Sequence, residues 1–175
     1  MKIGFEHSPM NELNLKFISN YLQARQETIA VAESVTSGYI QLMLSTADEA
    51  MKFYQGGITA YNVAQKVRHL SVDPIQGTKY NCVSEQVAQE MAIGVADKFQ
   101  SDWGVSITGY AAPVPEAGVF KLFSFYSFAY KGKCISTSLL LCGQKSQKDA
   151  QYYYATMVIQ NLKNYLSNVV ARVDA

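Results

Sequence analysis

The stretch GVFKLFSFYSFAY, residues 118–130, constrains the fold of this chain more than any other. Side chains alternate between the two faces of a strand, so a run that is apolar on both faces needs cover on both sides. It is therefore expected as a central strand. The tripeptide KGK joins it to CISTSLLLC, residues 134–142, which reads as a β-hairpin. Upstream, TIAVA, KFYQGGITAYN and WGVSITG read as three further strands. Strands are thus expected near residues 28–33, 54–61, 103–108, 119–130 and 134–142, and the Gly56-Gly57 pair predicts a bulge or a close backbone contact.

Between these runs the pattern changes to helical spacing. SEQVAQEMAIGVADKFQ places Val87, Met91, Val95 and Phe99 on one stripe, with Ala88 and Ala92 beside it and Ser84 as N-cap. An opening helix is predicted after Ser8 and Pro9, burying Leu13, Phe17 or Ile18, and Tyr21 or Leu22. Short helical segments are expected at YIQLMLST and VAQKVRHLSV. Ser146 and Asp149 form a capping box ahead of a last helix that turns Tyr154, Val158, Leu162 and Tyr165 or Leu166 inward. Helices alternating with strands, plus one late hairpin, give an α/β sandwich with a mixed sheet. With 175 residues, nearly half of them apolar, and no repeat or linker, one domain over 1–175 is expected.

Several function classes are set aside by composition. A formal charge of +1 gives no electrostatic attraction for nucleic acid or an anionic membrane surface. No apolar run approaches the roughly 20 residues of a membrane helix, and the first ten residues lack a signal-peptide core. Cys82, Cys134 and Cys142 match neither a zinc site nor a redox pair, and read as free thiols in a reducing compartment. A cytoplasmic protein without metal or cofactor is expected. His7 and His69 are too isolated for a triad, and Asp48 and Glu49 read as a solvated turn.

What remains is hydroxyl chemistry assisted by lysine. Lys66 follows the strand ITAYN closely; desolvated there, its amine would lose its proton near neutral pH and serve as a base. Ser34 and Thr36, in AESVTSGY at the end of TIAVA, would share the same rim of the sheet, where open α/β sheets bind ligands. TGYAAP, residues 108–113, ends a third strand and converges there. Each feature also has a plain structural role: Ser34 or Thr36 as a helix cap, Lys66 as a solvated helix residue, Gly109 as a turn.

Taken together, AESVTSG, GGITAYNVAQK, CVSEQVAQEMAIG and VSITGYAAP resemble the C-terminal domain family of competence/damage-inducible protein CinA, also found as the stand-alone nicotinamide mononucleotide amidase. The resemblance runs over roughly residues 10–168. It implies a three-layer α/β/α sandwich with a mixed, mostly parallel sheet of about five strands, self-association, and a small nucleotide ligand. It also implies a serine–lysine pair that hydrolyses the carboxamide of nicotinamide mononucleotide. Carried over by position, Ser34 and Lys66 are the catalytic candidates, and Glu33, Thr36, Gly38, Tyr61, Thr108 and Gly109 the substrate-binding ones.

The sequence departs from the family pattern at several ligand-facing places. Counted without a gap, Met51 stands where the family carries a serine read as the nucleophile. Ser37 and Ala112 replace glycines, the strand FKLFS lacks a Pro-Val-Gly start, and Lys145 lies near a family arginine. Two readings follow: a divergent amidase with weak or lost activity, or a non-catalytic ligand-binding or oligomeric homologue.

Overall fold

A computed structural model describes residues 9–79, 81–144 and 146–173. Ser8, His7 and Lys145 lie outside the described residues. In chain order the elements are α1 (Pro9–Arg25), β1 (Ile29–Glu33), α2 (Tyr39–Ser45), β2 (Tyr54–Thr59), α3 (Val63–Leu70), α4 (Pro74–Lys79), α5 (Glu85–Phe99), β3 (Trp103–Gly109), β4 (Leu122–Tyr130), β5 (Lys133–Cys142) and α6 (Gln147–Val173). The five strands form one sheet in the order β2-β1-β3-β4-β5. β1 pairs in parallel with β2 and β3, while β4 runs antiparallel to β3 and β5. Four strands therefore point one way and β4 alone points back. Helices cover both faces, and the α/β expectation with a mixed, mostly parallel sheet holds.

The two faces are built from different side chains. Ile29, Val31, Trp103, Val105 and Ile107 join α1, α2 and α6 in the larger core. On the other face Ala30 and Ala32 meet Leu70 of α3 and Val87, Met91 and Val95 of α5. Small residues on that face let α5 lie close. A Cβ added to Gly104 would sit 2.0 Å from the Ala92 carbonyl oxygen. Ser106 beside it donates to the Ala88 carbonyl. The glycine pair of β2 behaves as expected: the register shifts opposite Ile29 and Ala30, and a Cβ on Gly57 would lie 2.6 Å from the Val31 carbonyl oxygen.

In α1 the predicted inward positions Ile18, Tyr21 and Leu22 are buried, and only the first turn differs. Leu13 is exposed, and the inward positions are Asn11, Asn14, Leu15, Ile18, Tyr21 and Leu22. The reason is a polar stretch of the α1–α6 contact, where Asn11 Nδ2 donates to the hydroxyls of Tyr152 and Thr156. In α6 the predicted stripe is correct, with Tyr154, Val158, Leu162 and Leu166 buried. Ser146 accepts from the Asp149 N–H, as the capping box requires. Among the described residues no helix is long and apolar enough to cross a membrane.

Candidate active site

Parallel pairing brings the C-terminal ends of β1, β2 and β3 to one rim of the sheet, and the chain turns there three times. After Glu33, β1 breaks into a tight loop because Ser37 (φ 51) and Gly38 (φ 104) adopt successive left-handed conformations. Ser34 leads this loop, with its backbone N–H held by the Ile107 carbonyl of β3 at 3.1 Å. After β2, Asn62 caps α3 by accepting the Gln65 N–H, and the first full turn of that helix carries Lys66. The residue i+4 to Lys66 is Leu70, and both point inward. Lys66 is therefore no solvated helix residue.

Lys66 Nζ lies 2.8 Å from Ser34 Oγ and donates to it, and both side chains are buried. Burial holds the lysine amine below its ordinary value, opposed by the nearby Cys82 thiol. The Cys82 thiol is in turn raised by burial and lowered by Lys66. A desolvated amine against a serine hydroxyl can act as a base and a nucleophile, because removing water favours the neutral amine that can accept the hydroxyl proton. The N–H groups of Val35 and Thr36, directly beyond the serine, have no acceptor among the described residues.

The other predicted site residues divide. Thr36 is buried, and its hydroxyl has no partner among the described residues. Gly38 supplies a left-handed turn with open space where a Cβ would be. Tyr61 stands exposed on the connection between β2 and α3, at the same rim. Three residues are engaged by contacts within the protein. The carboxylate of Glu33 is fully buried and accepts backbone N–H groups of its own loop. The Thr108 hydroxyl donates to the Cys82 carbonyl at 2.6 Å. Gly109 is packed against β4, where a Cβ would meet Ser124 at 2.4 Å.

Met51 lies apart from the serine and the lysine. It is 96% exposed on a short 3-10 turn, Ala50–Lys52, that leads into the start of β2. Because β1 and β2 are parallel, with Ile29 beside Tyr54 and Glu33 beside Thr59, the start of β2 lies at the opposite rim from Ser34 and Lys66. Position 51 is therefore not next to Lys66 in this chain.

Two contributors escaped the sequence reading. Cys82, taken only as a free thiol, sits beside the amine. Gln151 of α6 donates from Nε2 to the Val35 carbonyl at 3.0 Å and contacts Ser37 Oγ at 3.4 Å, tying the loop to the last helix. One turn earlier on α6, Gln147 lines a groove of about 510 Å³ with Pro113, Phe120, Lys121 and Leu141. Among the described residues no cluster of His, Cys, Asp and Glu side chains is placed to hold a metal.

The sequence model of the family described as CinA C-terminal domain matches residues 12–163. Curated relatives include CinA-like proteins from Picosynechococcus sp., 43% identical over 96 residues, and Thermosynechococcus vestitus, 44% identical over 96 residues. Each match takes in 55% of this chain and 23% of the relative, so the chain spans about a quarter of their length. Among solved structures, a competence-damaged protein (CinA) superfamily protein from Enterobacter cloacae is 25% identical with a TM-score of 0.84, covering 95% of this chain and 99% of that one. A competence or damage-inducible protein from Enterobacter asburiae superposes with a TM-score of 0.83 at 24% identity, covering 89% of this chain and 98% of that one.

Proposed function

This chain belongs to the CinA C-terminal domain family, and from that premise we propose that it is an amide hydrolase whose nucleophile is Ser34 and whose general base is Lys66. The observation that carries the reading is the 2.8 Å contact between Lys66 Nζ and Ser34 Oγ in a buried setting. Nicotinamide mononucleotide, the substrate named by the family resemblance, is the amide to test first.

In this reading the neutral Lys66 amine takes the Ser34 hydroxyl proton as Oγ attacks the amide carbon. The N–H groups of Val35 and Thr36, which follow the serine and have no acceptor among the described residues, are the donors offered to the oxyanion that forms. Collapse of the tetrahedral intermediate breaks the C–N bond, and the proton held by Lys66 leaves with the nitrogen as ammonia. A water molecule, deprotonated by the same amine, then hydrolyses the ester to release the acid and restore Ser34. The groove lined by Phe120, Leu141 and Lys121 reaches Gln147, one turn of α6 from the Gln151 that holds the loop, and is large enough for the part of the substrate that does not react.

The test is ammonia release from nicotinamide mononucleotide by wild type, Ser34→Ala and Lys66→Met. Ser34→Ala is expected to abolish turnover, and Lys66→Met to lower kcat by about 10²–10⁴-fold. Unchanged turnover in Ser34→Ala would overturn the assignment. An inactive wild type would favour a ligand-binding homologue instead.

A further inference from the structure

We infer that Glu33 is the positioning residue of the nucleophile loop: its buried carboxylate closes the turn from β1 to α2 and so holds Ser34 against Lys66. This rests on the serine–lysine reading above and goes beyond it, because the family motif alone presents Glu33 as a substrate contact. Both carboxylate oxygens are already engaged by the loop. Oε2 accepts the N–H of Gly38 at 3.0 Å and of Ile40 at 3.2 Å, and Oε1 accepts the N–H of Gln41 at 2.8 Å. The side chain is fully buried, and no cation is paired with it among the described residues.

The three donors belong to the first turn of α2 and the residue ahead of it, groups that a helix leaves without intrahelical partners. No other side chain caps that helix, because the N-cap position is Gly38. Glu33 thus serves as a cap from five residues upstream. Its own backbone is fixed in the sheet, opposite Thr59 of β2 and Ile107 of β3, and its carbonyl accepts the Ala60 N–H at 2.8 Å. One residue therefore pins both ends of the segment 34–37. That segment includes Ser37 in a left-handed conformation, which a non-glycine residue adopts only when its surroundings hold it there. Without the carboxylate, the first turn of α2 loses its acceptors, and the turn that sets the direction of Ser34 Oγ loses its closure.

Glu33→Gln keeps the size but turns one acceptor oxygen into an NH2 that faces an N–H donor. The expected result is a folded protein whose kcat falls about 10–100-fold, the scale of a misplacement near 1 Å, while KM moves less than about threefold. Labelling of Ser34 by a fluorophosphonate should slow in parallel, and the apparent pKa of the ascending limb of the pH–rate profile should stay in place. Glu33→Asp keeps the charge at shorter reach and should fall between the two; if Glu33→Gln does not fold, Glu33→Asp carries the same comparison. Wild-type kcat in the folded variant, or a loss confined to KM, would overturn the inference, the latter in favour of a substrate contact. A wild type inert toward both substrate and probe would sink the dyad and leave this inference to amide exchange at Gly38, Ile40 and Gln41. Faster exchange at those three amides in the variants supports it, and unchanged exchange overturns it.

Discussion

The reactivity of the site is decided by which residues flank one amine. Lys66 has a serine hydroxyl at hydrogen-bond distance and a thiol nearby, and burial pushes its pKa down. Only the neutral amine can take a proton, so kcat/KM should rise with pH along a limb lying below the ordinary lysine value of about 10.4. A pH–rate profile that is flat through this range would mean that Lys66 is not the base. Met51→Ser should leave turnover and stability within about 0.5 kcal/mol of wild type, as for other exposed positions away from special features. A Met51→Ser protein that gains activity the parent lacks would restore the lost-nucleophile reading. The candidates at positions 34 and 66 were legible because each closely follows a strand that the apolar runs mark. The placement of position 51 was not, because counting residues along a motif ignores strand direction. A residue before a parallel strand and a residue after its neighbour lie at opposite rims.

At the scale of elements, the site depends on how close α5 can come to the sheet. Gly94 on that helix lies against the end of α3, where a Cβ would be 2.1 Å from the Leu70 carbonyl oxygen. Lys66 sits one turn back on the same short helix. Gly94→Ala should therefore destabilise the fold by about 1–3 kcal/mol, despite the higher helix propensity of alanine, because a backbone atom cannot move aside as a side chain can. Chemical denaturation of the two proteins checks this, and a stabilised variant would show that α3 and α5 have room to separate. The stripe of α5 and the inward face of α6 were readable from spacing alone, since apolar residues there recur at three and four. In α1 the later positions Ile18, Tyr21 and Leu22 were readable too, but not its first turn, where the inward face begins with Asn11 and Asn14, which a hydrophobic pattern passes over. The six-residue α4, Pro74–Lys79, is too short and too polar to show a period.

For the whole molecule, burying Lys66 links folding to the same proton that the proposed catalysis would use. Its amine is held below the unfolded value, so between the folded and unfolded pKa the unfolded chain binds more protons and stability rises with pH. The penalty is complete below the folded pKa and disappears as the pH reaches the unfolded value near 10.4. Lys66→Met keeps the length of the side chain and removes the charge, so it should be more stable than wild type at neutral pH. The gain is about 1.4 kcal/mol for each unit by which the folded pKa lies below the unfolded one. It should shrink steadily as the pH approaches 10. Denaturation of both proteins across pH 6–10 therefore yields a folded pKa for Lys66 without any substrate. That value should coincide with the ascending limb of kcat/KM, which reports on the free enzyme. A stability difference that does not vary with pH would mean that Lys66 titrates alike in both states, and the chemistry would then need another base. Agreement of the two curves would tie the destabilising burial of one lysine directly to the step it performs.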